Sequence, residues 1–166
     1  MKSVILFRHG KSDWGANYDH DHERPLSKRG IRDAKKMGKF LSKKTEAPDL
    51  VISSTALRTR NTIELAVKNG GWLAKVKYEK SIYGASLGRL INILKEQDNK
   101  YQCICLVGHE PIFSSFIEKV KSQSIIKFPT AAIGKVSFDI EKWNEINLTS
   151  DQCELKWFFK PKEIYQ

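Results

Sequence analysis

The apolar run Val4-Ile5-Leu6-Phe7 breaks off into Arg8-His9-Gly10, and this junction constrains the fold more than any other stretch. A continuous apolar run suits a strand covered on both faces, as in a parallel α/β sheet. In such sheets ligands bind in the loops beyond the carboxyl ends of the strands. The arrangement recurs twice. Leu50-Val51-Ile52 runs into Ser53-Ser54 and then Arg58, and Cys103-Ile104-Cys105-Leu106-Val107 runs into Gly108-His109-Glu110-Pro111. If the three strands are parallel neighbours, Arg8, His9, Arg58 and His109 converge on one edge of the sheet. Two arginines and two histidines there describe a pocket for a phosphoryl group.

The intervening segments read as helices. Residues 11 to 25 are polar and form a long loop overhanging the site, with Trp14 and Tyr18 either lining the mouth or packing the loop down. Ser27 is a plausible N-cap for a helix whose Ile31, Ala34, Gly38 and Leu41 recur at helical spacing and which ends before Pro48. Ala56, Thr59, Ile63, Ala66 and Val67 mark a second helix, stopped by Asn69-Gly70-Gly71 and carrying Arg58 in its first turn, where the dipole favours an anion. Residues 76 to 80 read as a short strand, and Leu87, Leu90, Ile91 and Leu94 as a third helical face. Pro111 suits the first position of a fourth helix, with Phe113, Phe116, Ile117 and Val120 inward. The alternations Val136, Phe138, Ile140 and Leu155, Trp157, Phe159 predict two closing strands. The expectation is one domain over residues 1–166, a three-layer α/β/α sandwich with a mostly parallel central sheet.

With 29 Lys plus Arg against 19 Asp plus Glu, the formal charge is +10, which favours anionic partners. Lys35, Lys36, Lys39, Lys43 and Lys44 fall on the polar side of one helix and read as a solvated face. No zinc-finger spacing, RNA-recognition signature or aromatic stripe argues for nucleic acid. Cys103 and Cys105 are too close along one strand to bridge comfortably, and the cysteine count is odd, which suits reduced thiols. No apolar stretch reaches membrane-spanning length, and the amino terminus lacks the pattern of a secretory signal. A cytoplasmic protein with no membrane partner is expected.

Taken together, Arg8-His9-Gly10-Lys11-Ser12-Asp13-Trp14, Arg24-Pro25-Leu26-Ser27-Lys28-Arg29-Gly30, Ser53-Ser54-Thr55-Ala56-Leu57-Arg58-Thr59 and Gly108-His109-Glu110-Pro111 resemble, in order and spacing, the histidine phosphatase superfamily. The fold this implies is phosphoglycerate mutase-like, and the fuller strings look like its compact SixA-type phosphohistidine phosphatase branch. The resemblance implies that His9 is a nucleophile forming a phosphohistidine intermediate, that Arg8 and Arg58 clamp the phosphoryl oxygens, and that His109 donates to them. Ser12, Gly10 and Glu110 would contact substrate, without cofactor or metal. The two arginines should lower the His9 pKa, and a hydrogen bond from its other ring nitrogen should set the tautomer.

Two departures bear on substrate. Gly15 stands where many larger relatives have an Asn, with Asn17 nearby. The stretch Ile82-Tyr83-Gly84-Ala85-Ser86-Leu87 carries no carboxylic acid, where ester-cleaving relatives keep one to protonate the leaving oxygen. Phosphohistidine can expel a neutral imidazole without that acid, so a phosphohistidine-bearing protein is the expected substrate. Asp13, Asp21, Glu23 or Glu110 could still reach in from loops. The alternatives are a small phosphomonoester substrate, or a module that binds phosphate or nucleic acid without turnover. Asp19-His20-Asp21-His22-Glu23 offers alternating metal-type ligands, but no distant cluster completes a shell, and a solvated loop shaping access is the preferred reading.

Overall fold

Each long apolar run becomes a strand of one sheet. The computed structural model describes residues 1–121, 126–149 and 151–164. Its strands are β1 (Lys2–Arg8), β2 (Leu50–Ser53), β3 (Lys75–Tyr78), β4 (Cys103–Gly108), β5 (Ile133–Phe138) and β6 (Cys153–Phe159). The helices are α1 (Lys28–Lys43), α2 (Leu57–Gly70), α3 (Leu87–Lys95) and α4 (Ile112–Lys121). The strand order is β3-β2-β4-β1-β5-β6, with the first four parallel, β5 antiparallel to β1 and β6 antiparallel to β5. The three motif-bearing strands are therefore parallel neighbours, β4 lying between β2 and β1.

Alternation along the strands feeds two cores. Ile5, Phe7, Val51, Cys105 and Val107 pack with Met37, Leu41, Ile63 and Ala66 of α1 and α2. Val4, Leu6, Ile52, Ile104 and Leu106 pack on the other face with Leu90, Leu94, Phe113 and Phe116 of α3 and α4. The result is the expected three-layer α/β/α sandwich. Helices α1 and α2 press together through glycine: a Cβ on Gly38 would fall 2.3 Å from the carbonyl oxygen of Ala66. Ser27 caps α1 by accepting from the Gly30 N–H, and Gly71, at φ 65°, ends α2.

Three local expectations shift. Ile31 is exposed, because α1 turns Gly30, Ala34, Met37 and Leu41 inward and leaves Ile31 out of phase. The strand expected over 76 to 80 is Lys75–Tyr78, and a short 3-10 turn, Lys80–Ile82, follows once Glu79 caps it through Ser81. Pro111 precedes α4 rather than opening it. Its carbonyl accepts the Ser115 N–H at 3.1 Å, making it the cap, and its bond to Glu110 is cis. Among the described residues no helix is long and apolar enough to cross a membrane.

Candidate active site

The sheet register lifts the motif residues to one level. Arg8 pairs with Gly108 and Ser53 with Val107. The ladder then continues one step further, with His9 N–H donating to Gly108 and Ser54 N–H to Val107. His9, Ser54 and His109 thus emerge side by side, with the two imidazole centroids 5.4 Å apart.

The His9 ring is buried, and its Nδ1 lies 2.7 Å from the carbonyl of Gly10. A carbonyl only accepts, so Nδ1 carries the hydrogen and Nε2 keeps its lone pair. The His9 pKa falls to about 3, chiefly because burial penalises the imidazolium, with smaller contributions from His109, Arg58 and Arg8. The expected lowering is present, but desolvation outweighs the arginines. His109 is likewise lowered to about 3, by burial first and Arg58 second. Its Nε2 lies 2.9 Å from Ser54 Oγ, which already accepts the Ala56 N–H at 3.2 Å. Among the described residues the buried Ser54 hydroxyl has no other acceptor, so its hydrogen points to the imidazole and the neutral ring carries its proton on Nδ1.

These groups line a cavity of about 190 Å³. Arg8, His9, Arg58, His109, Ser12 and Glu110 all lie on its wall, whereas Gly10 does not. The Gly10 N–H is taken by Thr62 Oγ1, and a Cβ at Gly10 would fall 2.7 Å from the Gly30 carbonyl oxygen, so it positions backbone instead. Thr62 also donates to the Arg58 carbonyl, tying the first motif to α2. The Glu110 carboxylate accepts from the N–H and the hydroxyl of Ser114, at the start of α4.

Arg8 Nε, Arg58 Nε, His109 Nδ1 and Ser12 Oγ are buried without a partner among the described residues, and all four belong to residues of this cavity. Three are donors fixed in place, and the Ser12 hydroxyl can donate as well. Unpaired buried donors cost roughly 1–3 kcal/mol each, a cost that an anion's oxygens would offset.

A third arginine lies on the wall. Arg24, almost fully buried, stacks its guanidinium 3.6 Å from the ring centroid of exposed Trp14. The Asp21 carboxylate accepts from Arg24 Nε and Nη2, from Arg58 Nη2 and from the Tyr83 hydroxyl at 2.7 Å. These donors, Tyr83 foremost, hold its pKa well below the usual carboxylate range. His22 bonds Thr55 Oγ1, so the loop is pinned both to the turn before α2 and, through Arg58, to α2 itself. Among the described residues no group of three His, Cys, Asp or Glu side chains is placed to hold a metal ion. Sequence reasoning left Arg24, Ser54 and Thr62 out of the site. The one available signal was that Arg24 opens the string Arg24-Pro25-Leu26-Ser27-Lys28-Arg29-Gly30, which carries part of the family resemblance, at the end of the loop overhanging the pocket.

Several known proteins resemble the chain in sequence or fold. An uncharacterized protein of Mycobacterium tuberculosis is 34% identical over 136 residues, spanning 76% of this chain and 83% of its own length. The protein histidine phosphatase SixA, solved with tungstate, superimposes with a TM-score of 0.81 at 19% identity, over 97% of this chain and 98% of that one. The mycobacterial glucosyl-3-phosphoglycerate phosphatase, solved with VO3, gives 0.68 at 14% identity, over 95% and 98%. At such identities the structural likeness is one of fold, and that fold is phosphoglycerate mutase-like. The family model for the histidine phosphatase superfamily (branch 1) matches residues 4–102, more than half of the chain. With its histidine-bearing strand ends and its sequence kinship in agreement, the chain belongs to branch 1 of the histidine phosphatase superfamily.

Proposed function

We propose that the chain is a phosphatase that moves a phosphoryl group from phosphohistidine on a protein to His9 and then to water. The observation that carries this reading is the His9 tautomer: Nδ1–H bound to the Gly10 carbonyl leaves Nε2 as a neutral nucleophile in a wall of arginines. Nε2 attacks phosphorus, the substrate's P–N bond breaks, and the substrate imidazole leaves neutral because its other nitrogen already holds a proton. Water then attacks, the P–Nε2 bond breaks, and dihydrogen phosphate departs with both protons of that water. Arg8, Arg24 and Arg58 balance the charge on the oxygens, and the His109 Nδ1–H donates to one of them. Family kinship and the fold shared with SixA support this reading. Cys103 and Cys105 are free thiols, in keeping with action in the reducing cytoplasm.

Asp21 supports a phosphoramidate over an ester. It reaches the site's edge beside the acid-free stretch, but its four donors keep it ionised and so unable to protonate an alkoxide. A small phosphomonoester is the second reading, favoured by the Glu110 carboxylate on the cavity wall and by the fold shared with a sugar phosphatase. Phosphate release from a phosphohistidine-bearing protein and from para-nitrophenyl phosphate, by wild type and His9→Ala, tests both. The expected result is preference for the phosphoramidate and no turnover by the variant. Equal turnover by the two proteins would overturn the nucleophile, and preference for the ester would overturn the substrate class.

A further inference from the structure

Beside the catalytic cavity runs a second groove, of about 440 Å³, between the amino-terminal half of α1 and the turn after β6. Six cations line it: Arg29, Arg32 and Lys36 from α1, Lys127, and Lys160 and Lys162 from the turn. Among the described residues the one carboxylate on its wall is Asp33, which is buried and stands 3.9 Å from Arg32. None of the other five cations has a carboxylate partner among the described residues, and Lys36 reaches only the Pro161 carbonyl. Six like charges held together repel one another, and an anionic occupant relieves that repulsion.

A second observation points the same way. The first turn of α1 holds no acidic residue and begins Lys28-Arg29, although the helix dipole favours acids there. The backbone's positive end thus adds to the side-chain field instead of being neutralised. The groove is also continuous with the chemistry: Thr130 lines both it and the catalytic cavity. Arg29 adjoins Gly30, which packs so closely on Lys11 of the catalytic wall that a Cβ there would fall 2.2 Å from the Lys11 carbonyl oxygen. Among the described residues no aromatic side chain lines the groove, and these offer no platform for stacked bases.

We propose that this groove docks an acidic polypeptide segment flanking the phosphohistidine of the substrate protein. The proposal rests on the phosphatase reading above for what lies at its end, but the docking can be read without turnover. The probe is a fluorescein-labelled polyglutamate peptide, titrated by anisotropy at low and high salt against wild type, His9→Ala and the double variant Arg32→Glu/Lys162→Glu. Both reversed residues are solvent-facing, and circular dichroism of the double variant checks its fold.

Wild type and His9→Ala should bind alike, with affinity falling as salt rises, and the double variant should bind roughly tenfold more weakly. In turnover, the double variant should show a raised KM for a phosphohistidine-bearing acidic protein and an unchanged rate on free phosphoramidate. Equal peptide binding by wild type and double variant would overturn the proposal. So would tighter binding of a single-stranded oligonucleotide of equal charge, in favour of a nucleic-acid surface. If peptide binding behaves as expected while no protein releases phosphate from phosphoramidate, the phosphatase reading fails and the docking site stands.

Discussion

Ser54 Oγ and His109 Nε2, 55 residues apart in the chain, lie 2.9 Å from one another. Because the hydroxyl has no other acceptor among the described residues, it donates to Nε2 and holds the imidazole in the tautomer with its proton on Nδ1. Ser54→Ala should therefore lower kcat about tenfold. The stability cost should be smaller, on the order of 1–2 kcal/mol for the groups left unpaired. Steady-state kinetics beside a urea titration check this. A variant that loses stability but keeps wild-type kcat would remove Ser54 from the chemistry.

Both histidines are pushed from 6.5 to about 3 by burial. The unfolded chain takes up protons near pH 6.5, while the folded chain resists until near pH 3. Stability contributed by the neutral rings is complete above about 6.5 and is lost as pH falls from there toward 3. Urea unfolding from neutral pH down to about 4 should show this decline, with a shallower slope in His9→Gln. The acid limb of kcat/KM should also lie below the ordinary imidazole value. A limb near 6.5 would show that the rings titrate as exposed ones do.

Glu110 is the carboxylate to vary if an ester is ever cleaved. Glu110→Gln should leave phosphoramidate hydrolysis within about twofold of wild type and, if Glu110 serves as acid, reduce ester hydrolysis 10²-fold or more. Parallel progress curves on the two substrates decide. A matched loss on both would identify Glu110 as a support for α4, through Ser114.

Gly30 has no room for a methyl group against the backbone of Lys11. Gly30→Ala should destabilise the fold by about 3 kcal/mol and lower activity with it, since Lys11 and Ser12 on the cavity wall must move. Thermal melts and turnover should change together. An unchanged melt would mean that the loop gives way without cost.

Much of this architecture is legible in the linear chain. Apolar runs ending in Arg-His or Gly-His mark the strands and their chemical ends, because a buried strand has no other use for such residues. Ser27 and Gly71 mark helix ends for reasons that are purely local. Legibility fails where tertiary geometry decides. Ile31 fits a helical face by spacing, yet α1 meets the sheet at a rotation set by Gly30 and Gly38. Arg24, Asp21 and Tyr83 meet only because the loop folds back over α2, and no periodicity records that. Gly10 reads as a ligand contact but is needed for close packing on Gly30.

The position of β4 between β1 and β2 has a consequence for how the enzyme comes into being. His9 follows β1 and Arg58 lies in the helix that follows β2, and these two strands are joined only through Cys103–Gly108 between them. A nascent chain that has emerged only as far as α3 lacks both His109 and the strand that joins β1 to β2 in the sheet. Completion of the candidate site therefore waits on the closing of a gap in the middle of the sheet, and under the proposed function a burst of activity during refolding would time the arrival of that strand.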